Sequence, residues 1–494
     1  MLWHSSLNNL SSEILAVDEI KLERRRNRKI TQEKALALNL DNTIYGTVVE
    51  IGAGQETARQ FFAAGAAAGS IAKTMSAYDM KVSDDIYGKV GRYVSRERCE
   101  QMMRKEYELL LNRLEGEREV DSRFFSYAAT VTARSYSQKN ECHGWIGVRR
   151  QIAPNTEASE IILHVRMLDE TNWQQSEALG ILGINLVHAA YHFADKPRAI
   201  IDSLQDGMGV DKRIEIDLIH FSGHGFEKVE NRLMNLQLIQ SWHCRAVMFD
   251  AEGHSIVPAS ALRKRDPIVI RGSFKPPTKI HLDMKESAIK HFADEQEVDP
   301  NNILVIAEIT MNELSGSGAE ADSDFLARVD LLNELGFSVL ISDYLRFFRL
   351  RSWIRRYTQN RIGIMLSVLD FDYLFAADYY DGLEGGILEA FGKLFSDNTN
   401  VYVYPTIRNG RLITLDTVDV SADLKFLLQH LVHNKAMVAA DITNVANLSI
   451  SARELVQKIP LGRGEWENSL PEQTVKSILA KELFGFVAPS NGSE

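Results

Sequence analysis

From Asp266 onward the chain alternates short β-branched apolar runs with amphipathic stretches of helical length, a rhythm that demands a parallel sheet covered by helices on both faces. Strands are expected at Ile268–Ile270, Ile303–Thr310, Ser338–Ser342, Ile362–Val368 and Val401–Tyr404, with helices around 281–293, 324–335, 346–358 and 383–395. Ligands of such sheets sit beyond the carboxyl ends of the strands. At that end of the first strand lies PIVIRGSFKPPTKIHLDMKESAIK, residues 267–290. The apolar run stops at Arg271-Gly272-Ser273-Phe274. Pro276, Pro277 and Thr278 then lead into a helix that opens near His281 and turns Leu282, Ala288 and Ile289 toward a core. Gly272 would let a ligand approach the backbone, and the free N–H groups of the helix's first turn favour an anion. An ordinary strand-to-helix turn, with His281 as a helix-start residue, is the other reading of the same residues.

At 494 residues the chain exceeds one ordinary core. The expected division is an N-terminal helical arm over 1–40, an α+β domain over 41–260 and the parallel-sheet domain over 261–494. The arm is polar, with a basic cluster from Arg24 to Lys29, and reads as solvated or as contacting another subunit of a homo-oligomer. A formal charge of −11 argues against nonspecific nucleic-acid binding as the main task. Three scattered cysteines, Cys99, Cys142 and Cys244, fit a reducing compartment. With no run of about 18 apolar residues and no secretory start, a cytoplasmic protein without a membrane partner is expected.

In the first half, Tyr45–Ala53 reads as a strand ending in a glycine turn. Phe61–Ala72 reads as an Ala/Gly-rich segment whose Gly65 and Gly69 permit a close helix contact. Ser95–Leu114 forms an amphipathic helix, and β runs at 124–132, 145–152 and 160–168 are close enough for antiparallel pairing. Gln174–Phe193 is a long apolar helix carrying His188 and His192 one turn apart, read as a core or interface pair for want of a third metal ligand. VVEIGAG resembles the first motif of S-adenosylmethionine methyltransferases, but Glu56 stands where a small residue is wanted. HFSGHG, in which the strand Arg213–Phe221 ends, resembles the histidine motif of caspase-like peptidases, but no cysteine follows at the matching place, and His224 reads as a loop residue.

The spelling GSFxPxTxxHL resembles the nucleotide-binding signature of the nucleotidyltransferases that adenylylate nicotinamide or nicotinate mononucleotide, in the variant with Thr in place of the first histidine. The resemblance implies a fold of the α/β class, a Rossmann-like parallel-sheet nucleotidyltransferase domain preceded by an α+β domain. It implies His281 as the phosphate-binding histidine, Thr278 at the other histidine's place, and Gly272, Ser273, Phe274 and Lys279 around the nucleotide. DFLARVDLLNELG (324–336) resembles an arginine-bearing helix of these enzymes. VLISDYLRFFRLRSW (339–353) is similar to their strand, acidic turn and tryptophan segment, which sets Asp343 against the mononucleotide and Trp353 near its ring; a core tryptophan is an equal reading. SISARELVQKI followed by LPEQTVKSILAKELFGF resembles their closing region, with Ser451 and Arg453 toward the triphosphate. Here the chain departs from the family spelling I-S-S-T-x-x-R: Ala452-Arg453 follows Ser451, and Val456 stands where the arginine belongs.

The whole chain is also similar to a bacterial family whose members carry the labels nicotinate-nucleotide adenylyltransferase or TonB-dependent receptor. The receptor label lacks alternating strands of about ten residues and aromatic girdles. The resemblance implies transfer of AMP from ATP to a mononucleotide with release of pyrophosphate, the Mg²⁺ being held mainly by phosphates. The alternative is a non-catalytic scaffold or nucleotide sensor that keeps the fold.

Overall fold

The computed structural model describes residues 27, 29–114, 121–132, 134, 141–294, 298–314, 316–396, 398–462 and 465–487. Most of the arm, including the basic cluster apart from Asn27 and Lys29, lies outside the described residues. The chain divides into two compact units, Met1–Cys244 and Arg245–Glu494.

In the second unit, strands β7 (Ala246–Phe249), β8 (Ser255–Ile256), β9 (Asp266–Arg271), β10 (Ile303–Thr310), β11 (Ser338–Ser342), β12 (Ile362–Ser367), β13 (Thr399–Tyr404) and β16 (Met437–Ala439) form one sheet. A separate two-stranded ribbon joins β14 (Thr406–Arg408) to β15 (Arg411–Ile413). The order in the large sheet is β16-β13-β12-β9-β10-β11-β7-β8. From β16 through β11 every pairing is parallel. Numbered along the chain from β9, these six strands read 3-2-1-4-5-6, a doubly wound order whose direction reverses between β9 and β12. β7 adds antiparallel to β11 and forms a hairpin with β8. The second unit therefore begins at Arg245, ahead of the change of rhythm at Asp266, because this hairpin extends the same sheet.

Both faces are covered, and the apolar runs follow from that. On one face Val269, Ile306, Leu340 and Ile364 pack beneath Trp353 and Phe391, which lie on helices Phe347–Ile354 and Gly386–Leu394. The intervening residues of β9, β10 and β12 face helix Lys279–Asp294, and β11 is covered by helix Ala319–Glu334. There Gly363 lets Phe292 lie flat on the strand, since a Cβ would come within 2.4 Å of that ring. Helix 279–294 thus crosses directly over the reversal point, with its N-terminus at the carboxyl end of β9.

The first unit holds β1 (Ile44–Gly52), β2 (Ile71–Ala77), β3 (Arg123–Val131), β4 (Cys142–Gln151), β5 (Ala158–Met167) and β6 (Ile214–Gly223), in the order β2-β1-β3-β4-β5-β6. β1 runs parallel to β2 and β3, and the remaining pairs are antiparallel. Helix Arg96–Leu114 covers one face through Cys99, Met102 and Met103. The other helix, Asn172–His192, is the close-packing one: Cβ atoms on Gly180 and Gly183 would meet Glu56 at 2.7 Å and Thr57 at 2.3 Å.

Two expectations are corrected here. Gly65 and Gly69 do not owe their helix contact to a missing Cβ: Gly65 O accepts from Asn39 of helix 29–40 at 2.6 Å, yet a Cβ on Gly65 would meet no atom of the described residues within 4 Å and one on Gly69 only Asn39 O at 3.7 Å; Gly65 ends a helix and 71–77 is a strand. Residues 29–40 form a helix that packs into the unit rather than a solvated arm. Ala35 and Leu38 are buried there, and Lys34 Nζ reaches Asn185 and Asp206 at 2.9 and 2.8 Å. The first glycine turn leads into helix Thr57–Ala64, after which β2 returns to pair beside β1. His188 and His192 stack at 5.0 Å, and no cluster of three metal-binding side chains occurs among the described residues. No helix among those residues is long and apolar enough to cross a membrane.

Two predictions follow from this packing. Gly363→Val should lower stability by about 1–3 kcal/mol through displacement of Phe292; an unchanged urea midpoint would show that the helix yields freely. Burial lowers the pKa values of His188, His220 and His243 from 6.5 to about 4. The unfolded chain therefore binds protons that the folded chain refuses, so stability is full above pH 6.5 and drains away as pH falls toward 4. Urea midpoints at pH 7.5, 5.5 and 4.5 should decline in that order, and a flat series would contradict the burial.

Candidate functional site

The carboxyl end of β9 delivers the residues singled out by their spelling. Ile268, Val269 and Ile270 are fully buried, and the Gly272 N–H still donates to Glu308 O at 3.1 Å, so the ladder persists one residue past the strand. Phe274 then takes a left-handed conformation with φ of 48°. Its ring is buried and lies 4.6 Å from the imidazole of His281. A Cβ on Gly272 would sit 3.2 Å from the Phe274 ring and 3.5 Å from His281 Nε2. Glycine is what lets both rings pack this closely against the turn.

His281 lies in the first turn of helix Lys279–Asp294. Its Nδ1 accepts from the backbone N–H of Thr278 at 2.9 Å, with Thr278 Oγ1 at 3.0 Å. An N–H can only donate, so Nδ1 carries the lone pair and the ring proton resides on Nε2. Nε2 is the nitrogen that faces Gly272. The ring keeps part of its surface in solvent, yet the protein atoms packed around it lower its pKa to about 4. At neutral pH it is an uncharged N–H donor directed at a turn, beside the unpaired amides of a helix start.

The turn is braced from below. Arg328, buried on helix Ala319–Glu334, donates to Ser273 O at 3.1 Å and to Glu313 O at 2.9 Å, and is ion-paired with Asp324. Lys279 Nζ donates to Asn468 O at 2.7 Å, and Asn447 donates to Asp283 at 2.7 Å. The C-terminal segment is thereby held against the first turns of helix 279–294.

Across the strand lies a second polar group that the sequence reading did not find. Arg271 meets Glu308 through two bonds of 2.8 and 2.9 Å and also donates to the carbonyls of Leu345 and Tyr344 at 2.6 and 2.8 Å. Its guanidinium lies 4.1 Å from the Phe347 ring centre. Glu308 is wholly buried and takes a further bond from Ser342 at 2.6 Å. At the end of β12, Ser367 and Asp370 form a reciprocal cap, and Asp370 also binds the Tyr373 hydroxyl. Burial raises the Asp370 carboxyl above its ordinary range, opposed by those bonds and by Arg271. The signal for this group was a lone acid inside an apolar strand, ILVIAEIT, which requires a cationic partner.

The other expected residues are dispersed. Asp343, at the end of β11, pairs with Arg245 at 3.3 Å, two strands away from the reversal. Trp353 takes the core place, the second of its two readings: it is 2% exposed, between Tyr344 and Tyr357. The buried Phe274 ring likewise leaves only backbone for a nucleotide. Ser451 caps helix Ala452–Lys458 by accepting from Glu454 N at 3.4 Å, and Arg453 is exposed. Arg453 makes no hydrogen bond to the Gly272–His281 segment among the described residues.

No protein-family model and no curated protein matches this chain. Among solved structures, it is similar to the competence/damage-inducible protein CihA of Agrobacterium tumefaciens at 16% identity and a TM-score of 0.24, over 32% of this chain and 94% of that one. It is also similar to a proposed nicotinate-nucleotide adenylyltransferase of Vibrio parahaemolyticus at 12% identity and a TM-score of 0.20, over 45% of this chain and 97% of that one. At these scores neither likeness bears on the assignment, which rests on the residues themselves.

Arg271→Met would strand the buried Glu308 carboxylate and should cost about 3–5 kcal/mol, with much of that loss restored in the double variant Arg271→Met/Glu308→Leu. Equal stability of the single variant and the unmodified chain in urea unfolding would show that the pair is not desolvated.

Proposed function

We propose that the second unit is a Rossmann-like nucleotidyltransferase domain that transfers AMP from ATP to nicotinate or nicotinamide mononucleotide. The observation that carries this reading is the orientation of His281: a neutral Nε2–H facing the glycine turn, at the end of the first strand of a 3-2-1-4-5-6 sheet. That is a setting made for a phosphate oxygen.

Atoms balance without a protein nucleophile. A phosphate oxygen of the mononucleotide attacks the α-phosphorus of ATP, and the bond to the β-phosphate oxygen breaks to release pyrophosphate. The chain's own groups bind and align: His281 donates from Nε2, Thr278 fixes that ring through its N–H, and Gly272 and Ser273 lend backbone. Lys279, Ser451 and Arg453 supply charge and hydrogen bonds to the triphosphate, and Asp343 approaches the acceptor. Mg²⁺, held mainly by the phosphates, would supply charge neutralisation. Positioning and electrostatics are the whole of the protein's contribution in such transfers.

One observation favours a second reading, a nucleotide-binding scaffold or sensor. Val456 replaces the arginine of the second signature, and Arg453 is exposed with no hydrogen bond to the glycine turn among the described residues. Transition-state charge on the triphosphate would then go unanswered.

Two measurements separate these readings. His281→Ala should weaken ATP binding or turnover at least about tenfold, equivalent to about 1.4 kcal/mol, and Gly272→Val should do more by filling the turn; unchanged nucleotide affinity in both variants would remove the site. Arg453→Ala should lower kcat on the order of a hundredfold while ATP still binds, because a group acting on developing charge affects turnover before affinity. Calorimetric binding of ATP and Mg²⁺ with no pyrophosphate released from either mononucleotide would decide for the sensor.

A further inference from the structure

Three adjacent strands of the first unit bring Asp217, His164 and His143 into one hydrogen-bonded row. His164 Nδ1 lies 2.5 Å from Asp217 Oδ1, and His164 Nε2 lies 3.2 Å from His143 Nδ1. Asp217 and His164 are 3% and 2% exposed, while His143 is only half-buried and forms the outer end of the row. Asp217 Oδ2 is buried without a hydrogen-bond partner among the described residues. Trp145 closes the side of the row, its ring 4.9 Å from that of His164.

The carboxylate fixes the protons. It only accepts, so His164 donates from Nδ1 and offers a lone pair at Nε2; His143 then donates from Nδ1 and keeps a lone pair at its outer Nε2. In this state a buried carboxylate, one oxygen unpaired, faces a neutral ring, which leaves its charge poorly compensated. A proton arriving at His143 Nε2 allows the Nδ1 proton to pass inward to His164 Nε2. His164 becomes an imidazolium against Asp217, and His143 ends neutral with an N–H pointing outward. One proton enters from solvent, no covalent bond between heavy atoms changes, and the outer nitrogen has turned from acceptor into donor.

The charged groups facing His143 are His164 and Arg166 on β5, Asp217 on β6, and Arg92 in the segment before helix Arg96–Leu114. Arg166 is engaged by Glu215 at 2.7 Å and Glu141 at 2.5 Å. Arg92 is exposed and contributes positive charge beside the outer nitrogen. Burial, and then the charge of His164, lower the His143 pKa to about 4.

We propose that His143, backed by His164 and Asp217, forms a proton-coupled oxyanion site in the first unit, binding a small oxyanion with uptake of one proton. An oxyanion needs the donor form, so it binds that form and draws the proton in. Affinity is therefore strongest at low pH and is lost as pH rises, and one coupled proton allows at least about a tenfold gain from pH 7.5 to 5.5.

Sulfate is the probe, because it stays a dianion across this range and any proton taken up must belong to the protein. Titration calorimetry of the full chain at pH 5.5, in two buffers of different ionisation enthalpy, should show sulfate binding with uptake approaching one proton. His143→Gln should abolish the uptake, and Asp217→Asn should reduce it. Should the buried Asp217 variant fail to fold, the half-buried His143 variant decides alone. His281→Gln should bind sulfate with the same uptake as the unmodified chain, which separates this site from the Gly272 turn. No sulfate binding, binding without proton uptake, unaltered uptake in His143→Gln, or loss of uptake in His281→Gln would each overturn the proposal.

Discussion

The buried pair of Arg271 and Glu308 is the constraint on which the ligand edge of the second unit depends. A carboxylate with no solvent contact is tolerated only when fully partnered, so β9 and β10 must meet in the register that sets Arg271 beside Glu308. Ser342 brings in the end of β11, and the remaining guanidinium protons hold the chain at Tyr344 and Leu345. Tyr379 donates to the same Leu345 carbonyl at 2.7 Å and so draws in the segment after β12. Because side chains alternate along a strand, Arg271 points to one face and the next residue, Gly272, faces the other. The anchored wall and the glycine turn are thus adjacent residues of one strand.

Much of the second unit was legible because a sheet buried on both faces requires uninterrupted apolar runs. Ile303–Thr310 and Ser338–Ser342 lie where the sequence reading put them. The hairpin of β7 and β8 and the short strand β16 were not legible as parts of this sheet, since a strand of two or three residues has no period to detect. In the first unit, the antiparallel pairing of β3, β4 and β5 followed from short connections, whereas IAKTMSA at β2 was obscured by the Ala/Gly-rich stretch before it.

The candidate site was legible only where chemistry is local. Gly272, Thr278 and His281 are close in sequence, and the structure brings them into mutual contact. Trp353 and Phe274 carry the same aromatic character whether they serve a ligand or a core, and burial alone tells these apart. Arg271 and Glu308 are 37 positions apart, and His164 and Asp217 are 53 apart. No spacing rule reaches such pairs, and only the strand order makes them neighbours.

The ends of the large sheet have a consequence of another kind. Its outermost strands among the described residues are β8, two residues long, and β16, three residues long. An exposed edge recruits foreign strands in proportion to the row of unpaired N–H and C=O groups that it presents. Here that row is too short at either end to template another chain. A sheet rich in Val and Ile, with the composition of an aggregation seed, is thereby kept from growing sideways.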